Sequence, residues 1–282
     1  MRIIQFLLSA ALLLSWGGCT EDQINQVING GGDLTDAEIA AGLKEALVVG
    51  TDTSTATLSA QGGYLNDPVV KILLPASLQN SINNLKAQTI NLGFITVTGA
   101  DLYNGTTVLG ITIPGLKSQE DRLIAGINQA AEQAAATAAP IFVNAIGDIT
   151  IQDANNILFG GIDTAATAYL QNATYGSLYN QYEPRIDNAL QSVTIGNTSV
   201  VDEYENFVSS YNNLLNTGFP GFGTVGSLMN LQTITATDLS AHGTAKGLDG
   251  LFLKISEEEK DIRENPLARV TNLLERIFSA LD

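Results

Sequence analysis

Apolar residues recur every three to four positions along most of this chain, and strict alternation is confined to short stretches. Thr35 precedes a helix with Ile39, Leu43, Ala46 and Leu47 on one face, which fades at Gly50. Residues 51–64, rich in Thr, Ser and Gly, read as a loop. Asp67-Pro68 opens a β-branched run at 69–74, a predicted strand closed by Pro75, and a short helix follows over about 77–86. The clearest strand signal covers 94–103 and 106–113, flanking Asn104-Gly105, a pair suited to the two positive-φ positions of a type I′ turn.

Helical spacing resumes at Ser118, with Leu123, Ile127, Ala130 or Ala131, and Ala134 in register, until Pro140 kinks or restarts it. Thr150-Ile151-Gln152-Asp153 has capping-box spacing, Gly160-Gly161 ends that helix, and Asp163 is expected to cap the next. A helix over about 200–216 aligns Tyr204, Phe207 or Val208, Tyr211, and Leu214 or Leu215, and 217–245 reads as a long loop. Leu248, Leu251, Phe252 and Ile255 mark a further helix. Asn265-Pro266 starts the last, with Leu267, Val270, Leu273, Leu274 and Ile277 expected to face inward. The pattern predicts a mainly α fold: a single-domain helical bundle over 34–282. A small β-hairpin at about 92–116 is packed on it, since two strands alone are marginal.

The start of the chain has a different pattern. The apolar run from Ile3 to Leu14 would span roughly 18 Å as a helix, short of a ~30 Å hydrocarbon core. It reads as the apolar part of a secretory signal peptide over 1–18. Ser15-Trp16-Gly17-Gly18 before Cys19 resembles a bacterial lipobox, although Trp16 stands where a small aliphatic residue is usual. Cys19 is then the lipidated N-terminus and 19–33 a lipidated, flexible tether ending in a glycine-rich stretch. Thr20-Glu21-Asp22 is similar to the acidic surface-sorting signals of some bacterial lipoproteins. The expected location is the cell envelope, as an outer-membrane lipoprotein facing the periplasm or the cell surface, with the membrane as partner through the lipid anchor.

Composition narrows the chemistry. With 13 Lys plus Arg against 29 Asp plus Glu, the formal charge of −16 disfavours nucleic acid and anionic headgroups as partners. One Cys and one His exclude a disulfide framework and a multi-His metal site, so no cofactor or metal is expected. Gly221-Phe222-Gly223-Thr224-Val225-Gly226 matches G-x-G-x-x-G, but a helix and Pro220 precede it where a dinucleotide site needs a strand. Asp249 alone does not rescue it. His242 near Ser240 reads as a loop residue without a nucleophile elbow. The run Glu257-Glu258-Glu259, with Lys260 and Arg263 following, reads as a solvated, ion-paired helix face. No catalytic residue is assigned.

Several blocks are similar to the domain of unknown function 4197 family. They are Ala41-Gly42-Leu43-Lys44-Glu45-Ala46-Leu47, Asn128-Gln129-Ala130-Ala131-Glu132, Asp153-Ala154 through Ile157-Leu158, and Asp163-Thr164 through Tyr169. The C-terminal block adds Leu248-Asp249-Gly250-Leu251-Phe252, Ile262-Arg263-Glu264-Asn265-Pro266, Arg269, Leu273-Leu274 and Phe278. The resemblance covers about 36–282, and 92–116 and 217–245 depart from the pattern. It implies a lipid-anchored, mainly helical envelope protein and transfers no catalytic residue.

Read physically, these motifs single out Asn128, Glu132, Asp163, Thr164, Arg263, Asn265 and Arg269. Asp163-Thr164 and Asn265-Pro266 are helix starts, and Asn128 and Glu132 lie one turn apart. Together they form either caps and an ion pair that fix the packing, or a polar ligand site.

Function therefore stands between classes. The leading expectation is a non-enzymatic binding or structural lipoprotein whose body binds an envelope protein or a small ligand. The alternative is a carboxylate-dependent hydrolase acting on a periplasmic or surface glycan, which needs two facing carboxylates.

Overall fold

Helix α1 (Asp36–Ser59) starts where its capping signal lies. The Thr35 hydroxyl accepts the Glu38 N–H at 3.2 Å, and the Glu38 carboxylate takes the Thr35 N–H at 2.8 Å. The computed structural model describes residues 33–282; the expected signal peptide over 1–18, Cys19 and nearly all of the 19–33 tether lie outside them. Helix α1 does not end at Gly50. It runs nine residues further, because Thr51, Ser54 and Thr55 are buried along with Leu58. The Thr51 and Thr55 hydroxyls donate to the carbonyls of Leu47 and Thr51, at 2.7 and 2.8 Å, so these polar side chains bury without needing an outside partner. An apolar periodicity would miss that face.

The segment at 67–75 forms no strand: residues 68–70 make a turn, closed by the Lys71 N–H donating to the Asp67 carbonyl at 2.9 Å. Helix α2 (Ala76–Ala87) follows, then a hairpin of β1 (Thr89–Asn91) and β2 (Thr96–Thr98). The expected long hairpin around Asn104-Gly105 is replaced by α3 (Gly99–Asn104), capped by a box between Thr98 and Asp101. A hairpin does lie within 92–116, formed by β3 (Thr106–Val108) and β4 (Ile111–Ile113). Its two turn residues are Leu109 and Gly110, with φ of 54° and 81°, the positive pair a type I′ turn requires. Gly105, at φ 94°, instead terminates α3.

Helix α4 (Lys117–Ala135) gives way to α5 (Ala139–Asp148), with Pro140 in the first turn of α5, as a restart demands. Helix α6 (Ala154–Phe159) begins three residues later than the predicted capping box at Thr150 places it. Asp153 occupies the cap position in a left-handed conformation, φ 61°, without a side-chain cap bond. Helix α7 (Ala165–Ser192) is the longest. A hairpin of β5 (Thr194–Ile195) and β6 (Thr198–Ser199) leads into α8 (Val200–Asn216).

Residues 217–245 are not one loop. They hold a hairpin of β7 (Gly218–Phe219) and β8 (Gly223–Thr224), α9 (Val225–Met229), and the first turns of α10 (Leu239–Glu264). After α10 come a 3-10 turn (Pro266–Ala268) and α11 (Asn272–Phe278). Leu274 and Ile277 are buried as expected, but Leu267 and Val270 are 91% and 68% exposed, because they precede α11 and do not share its face.

The fold is thus mainly α, around one contiguous core. Helix α10 packs along both α1 and α7, and α4 packs on α7 and α1. Three glycines let large side chains reach α10. A Cβ at Gly243 would lie 3.0 Å from Ile186, at Gly247 3.2 Å from Tyr182, and at Gly250 2.8 Å from Tyr64. No described helix is long and apolar enough to cross a membrane.

Candidate functional site

Asn128 and Glu132 project from one face of α4 onto the segment that follows α1. Asn128 is fully buried. Its Oδ1 accepts the Ile72 N–H at 2.8 Å and its Nδ2 donates to the Ile72 carbonyl at 2.7 Å, replacing the strand partner that 69–74 lacks. Glu132, 8% exposed, accepts the N–H groups of Tyr64 and Leu65 on the same oxygen, Oε1, each at 3.3 Å. Tyr64 is buried beside it and donates its phenol to the Gly247 carbonyl at 2.8 Å. Burial, with Tyr182 and Glu132 nearby, pushes the Tyr64 pKa well up.

The other oxygen of Glu132, Oε2, takes no hydrogen bond from a described residue, and the Glu132 side chain lines a cleft of about 480 Å³. Ser59, Gln61, Asn66, Gln129 and Gln133 supply the polar part of its wall. Glu132 is the one ionisable side chain in that lining. Sequence spacing found Glu132 but not Gln61 or Asn66, which a turn carrying Gly62 at φ 82° brings across from α1.

The remaining candidates form a second, separate cluster. Arg263 is buried on α10 and donates from Nε and Nη2 to Glu259 Oε1, at 3.0 and 2.8 Å. It also donates to the carbonyls of Leu158 and Ile157, both at 3.0 Å. Glu259 in turn receives the Ala166 N–H at 3.0 Å and the Thr167 N–H and hydroxyl at 2.7 Å. Helix α7 is therefore capped by Glu259. Asp163 is exposed, and Thr164 sits at the cap position without a side-chain cap bond. The acidic run at 257–259 is consequently not one solvated face, because Glu259 shares the buried stripe of Ile255 and Ile262.

Arg269, also buried, donates to the carbonyls of Ile262 and Arg263 and holds Asp282 through two bonds of 2.8 and 2.7 Å. Asn265 accepts the Leu267 N–H at 3.1 Å and starts the 3-10 turn. These side chains satisfy helix ends. Asn128, Glu132, Arg263 and Arg269 are all buried, but they make two clusters rather than one network.

Two other sequence features change place. His242 lies in the first turn of α10, not in a loop, and its Nε2 is 2.8 Å from the Leu73 carbonyl. Burial lowers its pKa, against the opposing pull of that carbonyl. The G-x-G-x-x-G run forms the β7–β8 turn, with Gly221 at φ 79° and Gly223 at φ 120°, and then the five-residue α9. At that turn Phe222, 42% exposed, meets Phe94, 74% exposed, edge to face at 6.4 Å between ring centres. Neither 87–100 nor 217–237 contains a charged residue. Among the described residues no group of three or more His, Cys, Asp or Glu is arranged to hold a metal ion.

No curated protein and no solved structure matches the chain. A family profile does, over residues 33–93 and 102–279. The interruption narrows the expected departure at 92–116 to 94–101, the second half of the β1–β2 hairpin and the start of α3, while 217–245 falls inside the match. Asn128, Glu132, Arg263 and Arg269 all lie within it. With the match covering most of its length, the chain belongs to the family described as protein of unknown function (DUF4197).

Proposed function

We propose that this is a cell-envelope lipoprotein, anchored through Cys19, that acts as a non-enzymatic binding protein with its ligand in the Glu132 cleft. The observation that carries the binding role is the split carboxylate. One oxygen of Glu132 holds the backbone of Tyr64 and Leu65, and the other takes no hydrogen bond from a described residue, on a side chain that lines a polar cleft. A buried carboxylate is stable only with donors around it, so an acceptor left open is a demand for a ligand or for water.

A glycan hydrolase would need a second carboxylate across the cleft and an acid with a raised pKa. The cleft wall supplies amides and a hydroxyl in that place. The carboxyl that burial does raise, Glu258, lies on α10 against Gly50.

The test is mass spectrometry of small molecules released from the lipidated protein purified from its own membranes. A mass retained by the wild type and lost from Glu132→Gln and Gln129→Leu supports the reading. Equal recovery from all three overturns it. For the anchor, labelled palmitate should enter the wild type and not Cys19→Ser, and equal labelling defeats that part.

A second reading has its own observation. The charge-free pairing of Phe94 with Phe222 offers an apolar contact for an envelope protein partner. Photo-crosslinking from position 222 in intact cells should yield a discrete adduct that Phe94→Ser abolishes. Diffuse labelling insensitive to Phe94→Ser would sink it.

A further inference from the structure

We infer that the Glu132 cleft takes a small ligand carrying a primary ammonium group on a hydroxyl- or amide-bearing frame, an inference that rests on reading the cleft as a binding site. The comparison that argues for a cation is internal to the protein. Among the described residues two carboxylates are buried, Glu132 and Glu259. Glu259 has a guanidinium at 2.8 Å and three further donors at 2.7 to 3.0 Å. Glu132 has two backbone N–H groups at 3.3 Å on one oxygen, and no Lys, Arg or His lines its cleft. What completes Glu259 and is missing at Glu132 is the cation. A chain with a net charge of −16 also concentrates cations at its surface.

The geometry selects among cations. A guanidinium can fork onto one carboxylate oxygen, as Arg263 does on Glu259 Oε1, but its donors are fixed in one plane, whereas the side-chain amides of this lining come from both α4 and the turn after α1. A quaternary ammonium wants aromatic faces, and the lining contains none. A divalent metal ion wants several oxygen ligands with more negative charge than one carboxylate provides. A primary ammonium has three donors on a compact head and can spend one on Oε2 and others on side-chain amide oxygens. Gln61, Asn66, Gln129 and Ser59 each offer a donor and an acceptor, the set that reads hydroxyls or amides elsewhere on the ligand.

The experiment titrates the full chain in detergent with D-glucosamine and 2-amino-1,3-propanediol, and with their neutral counterparts D-glucose and glycerol, by isothermal calorimetry. The amines should bind saturably and at least about tenfold tighter than the neutral compounds, the scale of one charge-assisted hydrogen bond. Glu132→Gln should abolish that preference. Its amide oxygen still accepts from Tyr64 and Leu65, so the unfolding midpoint should move little. Gln129→Leu, on the exposed rim, should weaken the amines without touching the carboxylate, and it serves if Glu132→Gln fails to fold. Amine binding unchanged in both variants overturns the inference. Neutral compounds binding as tightly, with loss in Gln129→Leu, overturn the ammonium assignment and leave the cleft as a site. Absence of saturable binding by any of the four overturns the inference, while the co-purified mass judges the cleft separately.

Discussion

The carboxylate of Glu259 receives both the backbone N–H and the hydroxyl of Thr167, each at 2.7 Å, and so caps α7 from a helix 92 residues away in sequence. A negative charge at a helix N-terminus is favourable, and here Arg263 balances it out of reach of water. Removing one partner leaves a buried charge unmatched. Glu259→Ala should therefore cost about 3–5 kcal/mol in urea unfolding. The double replacement Glu259→Met with Arg263→Leu should cost less than Glu259→Ala. A double variant no more stable than the single would show that Arg263 does not depend on Glu259.

Asn128 is a second polar contact that stands in for secondary structure. Asn128→Leu keeps the branched shape of the side chain and strips both backbone groups of Ile72 of their partner. At ~1–3 kcal/mol for each of the two buried groups left unsatisfied, the loss should be about 2–6 kcal/mol. Hydrogen exchange at the Ile72 amide should accelerate more than at Leu85 on α2. Uniform acceleration across both would argue against a local role.

The glycines on α10 differ in kind from a glycine elsewhere in the bundle. A Cβ at Gly250 meets the Tyr64 ring at 2.8 Å and Val70 at 3.4 Å, so Gly250→Ala should destabilise by about 1–3 kcal/mol through overpacking. Gly176, exposed within α7, has open space around it, and Gly176→Ala should stabilise by up to about 1 kcal/mol. Thermal melts of the pair should shift in opposite directions.

His242 gives a clean pH measurement because the chain has one histidine. Burial holds its pKa below the ordinary 6.5 in the folded state. As pH falls through that ordinary value, the unfolded chain takes up the proton first, so folding stability declines from about pH 6.5 downward. Replacing it with Gln should flatten this part of the stability profile. The imidazole NMR signal should titrate below 6.5, and a midpoint above that value would reverse the argument.

The cleft was only half legible in the sequence. Asn128 and Glu132 stand one turn apart on a helix that periodicity marks clearly, so their shared face could be read directly. Gln61 and Asn66 sit in a Gly-bearing turn whose path is set by the two N–H groups that Glu132 holds. No local pattern encodes that attachment. The spacing of Glu259 and Arg263 announced their pairing, but only the neighbouring Ile255 and Ile262 hinted that the pair lies on the buried face.

By itself the sequence determined the features with short-range causes: the helix start at Thr35, the restart at Pro140, the apolar stripe of α8 and the mainly helical class. These depend on residues within a turn or two of one another. Tertiary structure alone decided where packing overrides local preference. It buried the Thr and Ser face that carries α1 past Gly50, and it exposed Leu267 and Val270 despite their apolar character. It turned 217–245 into a hairpin and two helical segments, and it placed Glu132 in the wall of a cleft. Each of these depends on what another part of the chain places opposite, a relationship that hydrophobic periodicity does not contain.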